Sequence, residues 1–140
     1  MRYLMLMYPN DKAEQGAMPD AKAVEQMMKY NEELAKAGVL LALDGLHPSS
    51  KGARINWDKA GKPVVTDGPF TEVKEVVGGY WIIQVKSREE AIEWARRVPS
   101  TDARKVELRQ IFEMSDFPAD VQAAADNPTV RATVQKHARS

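Results

Sequence analysis

An α+β fold of the split β-α-β type, one antiparallel sheet with helices on a single face, is predicted by three features of this 140-residue chain. Residues 3–8 and 80–85 are runs of apolar and aromatic side chains of strand length. Two amphipathic helical patterns, one closing at Gly38 and one at Pro99, each lie between two predicted strands. A hairpin pattern around residues 53–66 interrupts the series.

The elements follow in order. Residues 3–8 are apolar at every position, which suits a central strand covered on one or both faces. Residues 10–18 are polar and contain Gly16, and read as a loop. Pro19-Asp20 then offers an N-cap, after which Val24, Met27, Met28, Asn31, Leu34 and Ala35 recur at helical spacing. Gly38 ends this helix, since glycine alone enters the left-handed C-terminal position without strain. Residues 39–46 form a second strand. Residues 53–57 and 64–66 form the arms of a hairpin whose loop is 58–62. Residues 80–85 form the next strand. Ser87-Arg88-Glu89-Glu90 reads as a capping box starting a helix with Ala91, Ile92, Ala95 and Val98 on one side, and Pro99 stops it. The last strand runs from about 105 to 112, with Val106, Leu108 and Gln110 alternating against Glu107, Arg109 and Ile111.

This order is a ferredoxin-like plan with an inserted β-hairpin. Such a sheet carries helices on one face only, and residues 3–8 and 80–85 are apolar on both alternations. A second subunit is therefore expected on the other face, making a homodimer. Residues 1–116 form the domain, and 117–140, rich in Ala, Asp, Lys and Arg, read as a helical or partly disordered C-terminal appendage.

Composition removes several function classes. The chain has no Cys, which excludes thiol catalysis, disulfides and thiolate metal sites. Twenty basic and twenty acidic residues balance, which argues against nucleic acid or an anionic membrane as partner. The apolar start is too short for a membrane span and lacks a small-residue cleavage site, so a cytoplasmic protein is expected. No metal is expected, because His47 has no second histidine near it. Gly78-Gly79 precedes a strand where a phosphate loop needs a helix, and no cofactor is expected.

Residues 66–79, Thr-Asp-Gly-Pro-Phe-Thr-Glu-Val-Lys-Glu-Val-Val-Gly-Gly, combine a forced turn with a charge cluster and a glycine pair. Pro69 fixes its own backbone and pushes Gly68 out of the helical region, and Phe70 supplies an apolar anchor. With the first strand, the run 33–40, Asp44-Gly45-Leu46-His47-Pro48, the Glu72-x-Lys74-Glu75 extension and Glu107-Leu108-Arg109, this segment resembles the YCII-related proteins. Within them it is similar to the DGPF-domain branch, named for the run that stands here at 67–70. The resemblance covers about residues 1–115 and implies pairing as a dimeric α+β barrel, two sheets packed face to face around a cavity. It also implies a functional link to an extracytoplasmic-function sigma factor. The YCII branch has been suggested to be enzymatic through a His and an Asp that share a cleft. The position matching that histidine on the first helix holds Met27 here, so this dyad does not carry over.

Asp67 and His47 are the candidate catalytic residues. A carboxylate held at a forced turn can orient a water or take a proton; histidine is the side-chain type whose ordinary pKa lies nearest neutrality, and His47 stands at a strand end close to Asp44. The alternative for Asp67 is an Asx-turn in which it accepts backbone N–H groups around Pro69, and for His47 a solvent-facing loop residue. Residues three apart on a strand face oppositely unless Gly45 makes a bulge. Tyr8, Asp44, Pro69, Phe70, Glu72, Lys74 and Tyr80 are the candidate pocket residues, with a solvated charged loop as the alternative for Glu72 and Lys74. Two functions remain: binding of a small-molecule ligand or regulatory partner in the dimer cavity, and cofactor-free proton transfer or hydrolysis by Asp67 with His47. The first is favoured, because acid-base residues are few.

Overall fold

The structure, a computed structural model, describes residues 1–100 and 103–138. The chain runs β1 (Arg2–Pro9), α1 (Asp11–Glu14), α2 (Ala21–Lys36), β2 (Leu40–Gly45), β3 (Ala53–Trp57), β4 (Pro63–Asp67), β5 (Gly79–Gln84), α3 (Arg88–Arg96), β6 (Ala103–Gln110), α4 (Ala119–Ala125) and α5 (Pro128–Ala138). The four-stranded sheet has the order β2-β5-β1-β6, with every neighbouring pair antiparallel, and β3-β4 stand apart as a two-stranded hairpin. This is the expected α+β, ferredoxin-like plan with its inserted hairpin.

The local signals act as their chemistry requires. Asp20 accepts the Ala23 N–H at 2.8 Å to start α2, and Gly38, at φ +73, leaves it in the left-handed region. Ser87 accepts the Glu90 N–H at 3.1 Å to start α3. The predicted capping box is only half formed there. The Glu90 carboxylate reaches past Ser87 and accepts the Lys86 N–H at 2.8 Å. The polar stretch after β1 is not all loop, because Asn10 caps the single turn of α1 by accepting the Ala13 N–H at 2.9 Å. β6 ends at Gln110, two residues short of its expected end.

Register divides the sheet into two faces. Trp81 lies between Leu43 and Met5, which pairs on with Leu108; Ile83 lies between Leu40 and Tyr3. These rows face the helices. Tyr3, Met5, Trp81, Ile83 and Val85 form the core with Tyr30 and Leu34 of α2 and Ala91 of α3. Tyr30 meets Trp81 edge-on at 5.8 Å, and its hydroxyl donates to the Trp94 carbonyl at 2.8 Å, tying α2 to α3. Burial pushes the Tyr30 phenol well above its ordinary range. Asn31, polar on the buried side of α2, is explained by the Trp81 indole, which donates to it at 2.8 Å.

Among the described residues no helix packs on the opposite face. Its rows are Asp44-Tyr80-Leu6-Glu107 and Ala42-Ile82-Leu4-Arg109, with Tyr8 paired to Lys105 beyond them. Leu4, Leu6, Tyr8, Tyr80 and Ile82 are half-buried. In the C-terminal segment α4 and α5 expose Val121, Val130 and Val134, and its last two residues lie outside the described residues. No helix of the described residues is long and apolar enough to cross a membrane.

Candidate functional site

Most of the residues singled out by sequence gather at one end of the sheet, where β1 and β2 finish and β5 and β6 begin. Gly78 bridges these strands, donating to the Met7 carbonyl at 2.8 Å and accepting from the Leu46 N–H at 2.9 Å. The turn at 67–70 is docked beside them through Ser49. The Ser49 hydroxyl accepts the Phe70 N–H at 3.0 Å, and the Gly68 N–H donates to the Gly52 carbonyl at 3.0 Å. The Gly68-Pro69 peptide bond is cis.

Ser49 is held in turn by α1. Its backbone N–H donates to the Glu14 carboxylate at 3.1 Å, and its hydroxyl donates to the same Glu14 oxygen. Both residues are buried. A chain of hydrogen bonds thus runs from α1 through Ser49 to the Phe70 backbone, and no fully buried side-chain N or O atom among the described residues lacks a partner. On the outside, the Arg54 guanidinium of β3 lies 3.8 Å from the centre of the Phe70 ring.

The Asx-turn weighed as the alternative role of Asp67 is not what closes this turn. The carboxylate is exposed at the end of β4, and among the described residues it accepts no hydrogen bond; Ser49 and Gly52 close the turn in its place. His47 is exposed in the loop after β2, and no bond joins it to Asp44 or Asp67 among the described residues. The β2 irregularity falls between Leu40 and Ala42, so Gly45 does not swing the strand to bring Asp44 and His47 together. Glu72 and Lys74 flank and enter one 3-10 turn over Val73–Glu75, where both are exposed. Pro69 is exposed and Phe70 half-buried in the docked turn.

Asp44 and Tyr80 do meet. They are cross-strand partners on the open face, and the Tyr80 hydroxyl donates to Asp44 Oδ2 at 2.7 Å. That hydrogen bond to the carboxylate, aided by desolvation and the carboxylate's charge, raises the Tyr80 phenol above its ordinary pKa. Tyr8 takes Lys105 Nζ over its ring at 4.3 Å. Glu107 and Arg109 form an exposed pair at 3.6 Å on the same face. The face is apolar at its centre and charged at both margins.

Sequence reasoning missed Glu14, Ser49 and Lys105. Nothing local in the sequence links Ser49 to a glutamate thirty-five positions earlier. Lys105 carries a weak signal, its place on the open alternation of the last strand. Among the described residues no group of three or more His, Asp or Glu is placed to hold a metal ion. A shallow apolar cleft of about 360 Å³ between α3 and β6, lined by Ile92, Ala95, Val98, Val106 and Leu108, contains none of Asp44, Tyr80, Asp67 or His47.

Comparison with known proteins gives three findings. An uncharacterized protein of Rhizobium meliloti (strain 1021) is 29% identical over 126 residues, covering 85% of this chain and all of that one. A solved structure of 5-chloro-2-hydroxyhydroquinone dehydrochlorinase from Burkholderia phenoliruptrix AC1100, in complex with 2,5-dihydroxybenzoquinone, matches 84% of this chain and all of that chain. It does so at 13% identity and a TM-score of 0.46. The model of the YCII-related domain matches residues 1–115, and the chain belongs to that family.

Proposed function

We propose that the protein binds a small molecule on the open face of its sheet, in a cavity closed by a second copy in a homodimer. The row Asp44-Tyr80-Leu6-Glu107 carries this reading: an apolar centre beside a carboxylate and phenol already fixed to each other. Apolar area with a few convergent polar groups is what small-molecule sites share. Asp44 retains lone pairs beyond the one Tyr80 uses, so it suits a ligand with a hydroxyl or amine donor on a largely apolar body. The catalytic reading built on Asp67 with His47 is not favoured, since among the described residues no hydrogen bond or ion pair joins the two.

The test combines size and ligand response. Light scattering is expected to give twice the mass of the chain, and a thermal-shift screen of small hydroxylated and amino aromatics is expected to raise Tm for wild type and much less for Asp44→Asn. A monomer at all concentrations, or ligands whose effect ignores Asp44, would overturn the reading.

A further inference from the structure

We infer that the β3-β4 hairpin is a second contact between two copies of this chain, its apolar face lying on the partner; the inference rests on the homodimer reading above. Register places Ile55 opposite Val65 and Trp57 opposite Pro63 on one face, while Arg54 pairs with Thr66 and Asn56 with Val64 on the other. Every residue of both strands is exposed, Trp57 at 68%, Val65 at 65% and Ile55 at 49%. A lone two-stranded hairpin is marginal in water, and a contiguous exposed strip with Ile55 and Val65 at its centre and Trp57 at its loop end is the composition of an interface anchor.

Two observations select a second copy as the occupant. The open sheet face presents two full cross-strand rows and parts of two more, Tyr8-Lys105 and Arg2-Gln84, well short of the roughly 20–30 residues a side of a stable interface. A dimer built on that face needs further surface, and the hairpin strip is an apolar face that the fold leaves unpartnered. The strip is also continuous with the candidate site. Asp67, paired with Ala53, lies on the same hairpin face at its root, so a partner seated on Ile55, Trp57 and Val65 also covers the turn at 67–70.

The test compares two surface variants by sedimentation equilibrium, with circular dichroism to check the fold. Trp57→Ser/Val65→Ser removes only exposed side chains and is expected to raise the dimer dissociation constant at least about tenfold. Leu6→Lys addresses the sheet face separately. An unchanged dissociation constant in the hairpin variant, with the dimer lost in Leu6→Lys, overturns the hairpin contact and leaves the sheet-face reading. Weakening by the hairpin variant alone supports the hairpin contact and overturns the sheet-face dimer. A wild-type monomer at all concentrations overturns both.

Discussion

Gly68 lies so close to Ser49 that a methyl group on its α-carbon would overlap the Ser49 carbonyl oxygen and stand 2.5 Å from the carbonyl carbon. The obstacle is backbone, which cannot swing aside as a side chain tip can. Gly68→Ala should therefore cost about 3 kcal/mol, the upper end for overpacking. Gly52→Ala is the control. A methyl group there meets the same carbonyl oxygen at 3.5 Å, an ordinary contact, and should change stability by less than about 0.5 kcal/mol. Urea unfolding midpoints at constant slope separate the two outcomes.

The Glu14-Ser49-Phe70 chain should behave as a coupled unit. Ser49→Ala deprives the Phe70 N–H of its acceptor and takes one of two donors from a buried carboxylate, with an expected loss of about 2–3 kcal/mol. Glu14→Gln keeps an oxygen for both Ser49 donors and should cost less. The double variant should then fall short of the sum of the single effects, because the charge assistance that Glu14→Gln removes from the hydroxyl's hydrogen bond is already gone once Ser49→Ala has removed the hydroxyl. Strict additivity would show that the two residues act independently.

What could be read from the chain alone was local or periodic. Asp20, Gly38 and Ser87 act within a few residues of themselves, and strand alternation placed Val106, Leu108 and Gln110 together against Glu107 and Arg109. The turn at 67–70 was recognisable for a similar reason, since Pro69 constrains its neighbour directly. What holds it was not recognisable. Ser49 lies twenty-one residues before Phe70, and Glu14 a further thirty-five before Ser49. Asp67 consequently looked like the residue that closes the turn. Asp44 and Tyr80 were both named as pocket residues, but only the register of β2 on β5 shows that they form a pair.

Asp44 should tune the Tyr80 phenol. The carboxylate stabilises the protonated hydroxyl, so the native pKa is raised. The sign follows: the contribution to stability is full below the ordinary tyrosine range, near about 10, and is lost as pH rises through the raised native value. In an absorbance titration of phenolate formation, Asp44→Asn should move one tyrosine to lower pH. Tyr80→Phe identifies that tyrosine by removing its step from the curve. An Asp44→Asn curve that overlays wild type would show that the hydrogen bond does not persist in solution.

Asn31 and Trp81 provide the corresponding test in the core. The two are buried, and the indole N–H donates to the Asn31 oxygen at 2.8 Å across the α2-sheet contact. Asn31→Leu keeps the branched shape, though with a larger volume, and leaves a buried donor unpartnered, which should cost about 1–3 kcal/mol despite the gain in apolar surface. Trp81→Phe removes the donor, frees space beside Tyr30 and should also destabilise. Combining them removes both polar partners, so Asn31→Leu should cost markedly less in the Trp81→Phe background than in wild type, by about 1 kcal/mol or more. An equal cost in both backgrounds would mean that Asn31 contributes through packing alone, independently of its hydrogen bond with the indole.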